Sequence, residues 1–205
     1  MRAFKRYGVG LTSQPSVASA AMGCRARGAW SIVQIITCVS CAMSTQFEIE
    51  DLHREPKRDA LLLLNNASAR ETSLLTPERF DRLIGSARLA LFVQPDAALL
   101  LAFEQSDDYD GGHFLWFRGR FDRFLYVDRV IVAEAYRRHG IGRLLYAHLL
   151  ERAGELGHTR VVCEVNLDPP NPVSDRFHAA LGFVEVGRAT IENGAKTVRY
   201  LAANL

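Results

Sequence analysis

The chain lacks most of the features that announce a function directly. Four cysteines, at positions 24, 38, 41 and 163, are all that 205 residues contain, too few for a disulfide scaffold. No apolar run approaches the roughly 20 residues that a membrane helix needs. No Gly-Lys-Ser/Thr follows a glycine-rich stretch, which excludes a nucleotide P-loop. A surplus of one charge is missing too. The formal net charge is +2, so electrostatics gives no reason to name nucleic acid as a partner. What is present is 48% hydrophobic and 23% charged residues, a globular balance that rules out a disordered or collagen-like chain.

The small net charge conceals an asymmetry. Residues 1–47 hold Arg2, Lys5, Arg6, Arg25 and Arg27 and no acid, so the remainder is net acidic. Three of the four cysteines also lie in this leader. Its apolar stretch, Ala29 to Ile36, is interrupted by Ser31 and Gln34 and sits too far from the start for a secretory signal. The Arg- and Ser-rich, acid-poor composition fits a targeting segment, a disordered leader or a start codon placed too early. Met43-Ser44-Thr45 reads as an alternative beginning. The expected division is therefore a leader over 1–42 and one domain over 43–205. Cys38-Val-Ser-Cys41 is a single C-x-x-C without a second pair, a weak signal for metal or redox chemistry.

Within the domain, Gln46–Leu52 reads as a strand and Arg58–Ala69, with its run Leu61–Leu64, as a buried helix. Thr76-Pro77 opens a second helix, Thr76 as N-cap and Pro77 in the first turn. Arg88–Gln94 and Ala97–Glu104 form a hairpin around Pro95-Asp96. A polar loop, Gln105 to His113, precedes a short aromatic helix over Phe114–Phe121. Phe124–Val132 is a β-branched and aromatic strand. Ile141–Leu156 is the clearest helix, with Leu144, Leu145, Leu149 and Ala153 on one face. Arg160–Val165 is a strand and Ser174–Leu181 a short helix. Phe183–Ile191 and Lys196–Ala202 close the chain as a hairpin around Glu192-Asn193-Gly194. With no repeat and no second core, the order predicts one α/β (α+β) domain around a single sheet.

The chemistry concentrates where a strand ends at Val132, a loop follows, and Gly140-Ile141-Gly142 opens the long helix. Glycines let a ligand approach the backbone closely. A helix start adds unpaired N–H donors and a partial positive charge, and Arg137, Arg138 and Arg143 add full charges. Such a site suits a pyrophosphate. A dinucleotide fingerprint would need its turn directly off the strand and a third glycine where Leu145 stands.

Arg137-x-x-Gly140-x-Gly142 between strand and helix resembles the acyl-CoA loop of the GNAT acetyltransferases. Asn171-Pro-Val-Ser174-Asp-Arg-Phe177-His178-Ala-Ala-Leu181-Gly182-Phe183 resembles that family's second signature. The likeness covers about Phe124 to Leu201. Residues 46–121 fit the family's acceptor half in outline, and residues 1–42 have no counterpart. The resemblance implies a mixed sheet, flanked by helices and splayed between its fourth and fifth strands, here Phe124–Val132 and Arg160–Val165. The backbone of Val130, Ile131 and Val132 would pair with pantetheine, and one of its N–H groups would polarise the thioester carbonyl. The amides of Arg138, His139, Gly140, Ile141, Gly142 and Arg143 would hold the pyrophosphate. Asn171, Ser174 and Phe177 would line the pantetheine channel.

The implied reaction is acetyl transfer from acetyl-CoA, a cosubstrate, to a primary amine of a small molecule or peptide. A non-catalytic acyl-CoA sensor is the rival. Glu164 matches a position at which some members of the family carry a general base; its other reading is an edge-of-sheet carboxylate paired with an Arg. His178 stands where the family usually has an acidic Tyr, either as the acid or as a helix-surface histidine. Tyr126 and Asp128 share one strand face, alternating with Val127 and Arg129. There they contact the acceptor, or Asp128 and Arg129 form a structural ion pair. Asp107-Asp108-Tyr109-Asp110 either steers a cation or is a solvated loop. Trp116 and Phe117 wall the acceptor site or belong to the core. His139 is a spacer with an exposed ring, Leu61–Leu64 is core, and Cys163 is a small buried hydrophobe. A cytoplasmic monomer or homodimer, without nucleic-acid or membrane partners and without a metal, completes these expectations.

Overall fold

A computed structural model of the chain describes residues 47–55, 58–191 and 195–205. The leader, its Cys38–Cys41 pair and the Glu192–Gly194 turn lie outside the described residues. Seven strands form one sheet: β1 (Ile49–Asp51), β2 (Leu89–Val93), β3 (Ala98–Glu104), β4 (Leu125–Val132), β5 (Arg160–Asp168), β6 (Val184–Ile191) and β7 (Lys196–Asn204). Their spatial order is β1-β2-β3-β4-β5-β7-β6. Five helices accompany it: α1 (Asp59–Ala67), α2 (Pro77–Ser86), α3 (Gly112–Arg118), α4 (Ile141–Glu155) and α5 (Pro172–Ala180). This is the mixed, helix-flanked sheet expected above. Two 3₁₀ turns, Leu52–Arg54 and Glu134–Tyr136, were not anticipated.

The local reasons are those visible in the chain. Thr76 caps α2 by accepting from the Arg79 N–H, with Pro77 at the first helical position. Strands β2 and β3 are apolar almost throughout because both faces of the sheet are covered. One apolar layer joins Leu91, Leu100, Leu125, Val127, Val161 and Cys163 to Leu145, Tyr146 and Leu149 of α4. The other joins Leu61, Phe80, Phe103, Phe117, Tyr126 and Tyr200 across the opposite face. Phe117 is therefore core, while half-buried Trp116 stacks on Tyr200 at 4.1 Å. The Leu61–Leu64 run departs from its expectation. Leu61 is buried but Leu63 is 70% exposed, because α1 lies on the surface and buries one stripe, Leu61 and Asn65, four residues apart.

Two features of the sheet prepare the site. Strands β4 and β5 run parallel but pair only at Leu125–Val127 with Val161–Cys163; beyond that point they diverge. The β3–β4 register also slips, so that Leu101 faces Arg129 while Ala102 faces Val127, and Asp128 is the extra residue. Such a bulge reverses the side-chain alternation that follows it. Tyr126 and Ile131, five positions apart, consequently share one layer. The expected alternation of Tyr126 and Asp128 with Val127 and Arg129 is corrected by this bulge, which sets Arg129 beside Asp128.

Candidate active site

The divergence of β4 and β5 opens a cavity of about 230 Å³. Residues from both sheet faces meet there. Tyr126, Asp128 and Val130 of β4, Cys163 and Glu164 of β5, Tyr146 of α4, and Asn171, Ser174 and His178 around α5 line it. Tyr109, Glu71 to Ser73, His113 and Lys196 complete the wall on the opposite side.

Glu164 is the central carboxylate. It lies on an interior strand, between β4 and β7, so the edge-of-sheet reading is set aside. No arginine pairs with it among the described residues. Its Oε2 is sealed from solvent without a hydrogen-bond partner. Burial pushes its pKa up to about 8, reinforced by the negative charge of Asp128 and opposed by the Tyr126 hydroxyl. A carboxyl with one unpartnered oxygen, held near neutral titration inside a cleft, is suited to take up and release a proton.

Asp128 has other obligations. Its carboxylate accepts from the Tyr109 hydroxyl and pairs with Arg129 at 2.6 Å, both members nearly buried. Arg129 in turn donates to Asn65 at 2.6 Å. The ion-pair reading of Asp128 therefore holds in the geometry, and Asp128 acts on the cavity through its charge. The acidic loop is likewise largely committed. Asp107 accepts from the Glu104 N–H and lies near Arg88, and Asp110 pairs with Arg79. What the loop brings to the cavity is Tyr109, stacked on Phe103 at 4.1 Å.

His178 is buried, 3% exposed, which overturns its placement on the helix surface; α5 packs that side against α4. Its Nδ1 sits 2.9 Å from the Ser174 carbonyl and 3.2 Å from the Ser174 hydroxyl, and its Nε2 lies 2.7 Å from the Tyr146 hydroxyl. Burial holds its pKa below the usual histidine value, so the ring is neutral near pH 7, its Nδ1–H facing the Ser174 carbonyl and its Nε2 accepting from the Tyr146 hydroxyl. Tyr146 escaped the sequence reading. The available signal was a hydroxyl-bearing side chain within the apolar stripe of α4, beside Leu145, Leu149 and Leu150.

Among the described residues, the N–H groups from Arg138 to Arg143 have no backbone acceptor. Gly140, at φ +80°, is the α4 N-cap and supplies no side-chain cap. The N–H groups at the start of α4 precede the first ladder bond, Leu144 N–H to Gly140 O. Arg138 also takes a positive φ of 66°, and the Arg137 guanidinium donates to the Val132 carbonyl at 3.3 Å. Arg137, Arg138, His139 and Arg143 are all exposed, the expected disposition for His139. A Cβ on Gly142 would come within 3.2 Å of the Phe177 ring, so the bare backbone there also admits the aromatic wall of α5. Asn171 spends its Oδ1 capping α5, accepting from the Ser174 N–H, and Cys163 is buried as expected.

The sequence matches the family described as the Acetyltransferase (GNAT) family over residues 42–183. The chain belongs to that family. Solved structures agree in fold. The ribosomal-protein-S18-alanine N-acetyltransferase from Escherichia coli is 16% identical, with 78% of this chain and 94% of that one covered at a TM-score of 0.54. A GNAT-family acetyltransferase from Streptococcus pneumoniae is 22% identical, with 78% and 100% covered at 0.55. The NatC complex bound to Gag peptide and CoA supplies a third, 14% identical, with 78% and 97% covered at 0.59. No curated protein sequence matches the chain. Among the described residues no helix is long and apolar enough to cross a membrane, and no cluster of three or more potential metal ligands occurs.

Proposed function

We propose that this chain is an acetyl-CoA-dependent N-acetyltransferase acting on a primary amine. The observation that carries this reading is Glu164, a carboxyl with one unpartnered, sealed oxygen in the gap between β4 and β5. A purely acyl-CoA-sensing module has no use for a titrating carboxyl at that point. The family's use of acetyl-CoA and a CoA-bound structural neighbour support the cosubstrate.

The roles follow from what each group has left to offer. Among the described residues β4 has no strand partner on its β5 side beyond Val127, so the backbone of Val130, Ile131 and Val132 is open to pair with pantetheine and to present an N–H to the thioester oxygen. The uncapped amides from Arg138 to Arg143 and the exposed Arg137, Arg138 and Arg143 guanidiniums receive the pyrophosphate. Asn171, Ser174 and Phe177 bound the channel. An alkyl ammonium with a pKa near 10.4 cannot attack a thioester. Glu164 takes its proton, the freed amine attacks the carbonyl carbon, and the C–S bond breaks with its electron pair on sulfur. The sulfur leaves as the thiolate, already a good leaving group, and takes its proton from water, while the Tyr146 hydroxyl, donating to His178 Nε2, lines the cavity on the cosubstrate side. Tyr126 stays beside Glu164 as its hydrogen-bonding neighbour. Residues 43–205 contain all of these groups and carry the activity in the cytoplasm.

Release of free CoA thiol from acetyl-CoA in the presence of an amine panel tests the reading. Amine-dependent release that is lost on Glu164→Gln, with acetyl-CoA still binding, supports it. Tight acetyl-CoA binding without release for any amine supports the sensor instead.

A further inference from the structure

The acceptor wall of the cavity carries a charge that an acceptor consisting of an ammonium alone would not welcome. Lys196, at the start of β7, lines the cavity and makes no ion pair with any other described residue. It lies within electrostatic reach of both Glu164 and His113. The other cation on this wall, Arg129, is spent on Asp128 and Asn65. His113 has a free end as well. Its Nδ1 sits 3.1 Å from the Tyr200 hydroxyl; with that hydroxyl donating, the ring carries its proton on Nε2. Burial and the neighbouring Lys196 hold His113 below the usual histidine pKa, so the ring is a neutral donor.

We infer that the acceptor is an amino carboxylate, whose amine goes to Glu164 and whose carboxylate is held by Lys196 and by His113 Nε2–H. The inference rests on the transferase reading and narrows its acceptor. Two like charges in one cavity repel. An amine reaching Glu164 past Lys196 is favoured when it brings its own negative charge. The remaining carboxylates do not supply that charge. Asp128 is balanced by Arg129, Glu164 must remain available to the amine, and Glu71 is exposed, so solvent screens its charge.

The test uses the full chain in the CoA-release assay with a series of aliphatic amino carboxylates of increasing spacer length, each beside its carboxamide isostere. For the best spacer, kcat/KM should favour the carboxylate over its carboxamide by about tenfold or more. Lys196→Met should collapse that ratio to about one, Lys196→Arg should retain most of it, and His113→Phe should lower it in part. If Lys196 serves only to tune Glu164, Lys196→Met will move the pH profile and change both members of each pair equally, which overturns the inference. Carboxamides or plain amines turned over as well as the carboxylates overturn it too, while the transferase reading stands. Failure of every amine to release CoA from bound acetyl-CoA overturns both.

Discussion

The two walls of the cavity are built by different means. The cosubstrate wall is made from consecutive chain: the end of β4, the Arg137–Gly142 loop and the first turn of α4. Its donors are backbone N–H groups, so glycines and a helix start specify it. The acceptor wall gathers single side chains from remote segments, Glu71 after α1, Tyr109 and His113 around the start of α3, and Lys196 on β7. Its character lies in which of these charges are already paired. A wall of backbone tolerates side-chain change outside a few glycines, whereas a wall of side chains can be retuned one residue at a time. On the proposed function, the contrast assigns cosubstrate binding to the first wall and acceptor choice to the second.

The largest expected effect comes from the carboxyl that stands between them. Glu164→Gln keeps the shape and removes the basicity, so turnover should fall by about 10²–10⁴-fold. Acetyl-CoA affinity by calorimetry should stay nearly constant, because the first wall is untouched. Turnover near wild type would return Glu164 to a structural role. The next effect breaks the first wall. Gly142→Val puts a side chain where, on the proposed function, the backbone meets the pyrophosphate, and acetyl-CoA affinity should fall by about tenfold or more. Because a Cβ there also crowds Phe177, the double variant with Phe177→Leu separates the causes. If the double variant binds normally, the loss was aromatic crowding alone.

A smaller effect sharpens the second wall. Asp128→Asn removes the negative charge that reinforces the raised pKa of Glu164. The acidic limb of the pH–rate profile should move to lower pH, while the maximal rate changes little. The same substitution leaves Arg129 buried without its counter-charge, so unfolding should become easier by about 3 kcal/mol. A destabilised variant with an unmoved limb would show that Asp128 supports the fold without tuning Glu164.

The same division explains what could be read from the chain alone. Gly140, Gly142, Arg137, Thr76 with Pro77, and the β4–loop–α4 order are legible because each is fixed within a few residues by backbone geometry. The splay follows from the family resemblance rather than from any local pattern. The bulge at Asp128 is a different matter. No residue at that point signals it, yet it reverses the alternation that the Tyr126–Arg129 stretch implies. Leu63 in the core and the helix-surface alternative for His178 fail for a related reason. Which side of a short helix is covered depends on its neighbour, α5 being covered by Tyr146 and α1 leaving Leu63 to solvent. Tyr109 and Lys196 gave no local signal at all, since only the folded sheet brings them to Glu164.

The last expectation returns to Glu164 as an equilibrium measurement that needs no substrate. Its folded-state pKa of about 8 lies above the ordinary carboxylate value near 4.5. Below that ordinary value both folded and unfolded chains hold the proton, and the group contributes no pH dependence. As pH rises past it, the unfolded chain releases the proton while the folded chain keeps it, so folding stability must fall. The fall ends once the folded-state group ionises as well, near pH 8. Other buried groups titrate in the same range: burial lowers His113, His158 and His178, which weakens the fold as pH drops below the ordinary histidine value. The wild-type curve is therefore a composite, and the informative quantity is its difference from Glu164→Gln. Chemical denaturation at several pH values should give a difference that turns against wild type by roughly 1.4 kcal/mol per pH unit between about pH 5 and 8. Above pH 8 it should level off. A difference constant across that window would mean that Glu164 is ionised in the folded chain at pH 5, and the carboxyl between the two walls would then be a fixed charge instead of a base that titrates near neutrality.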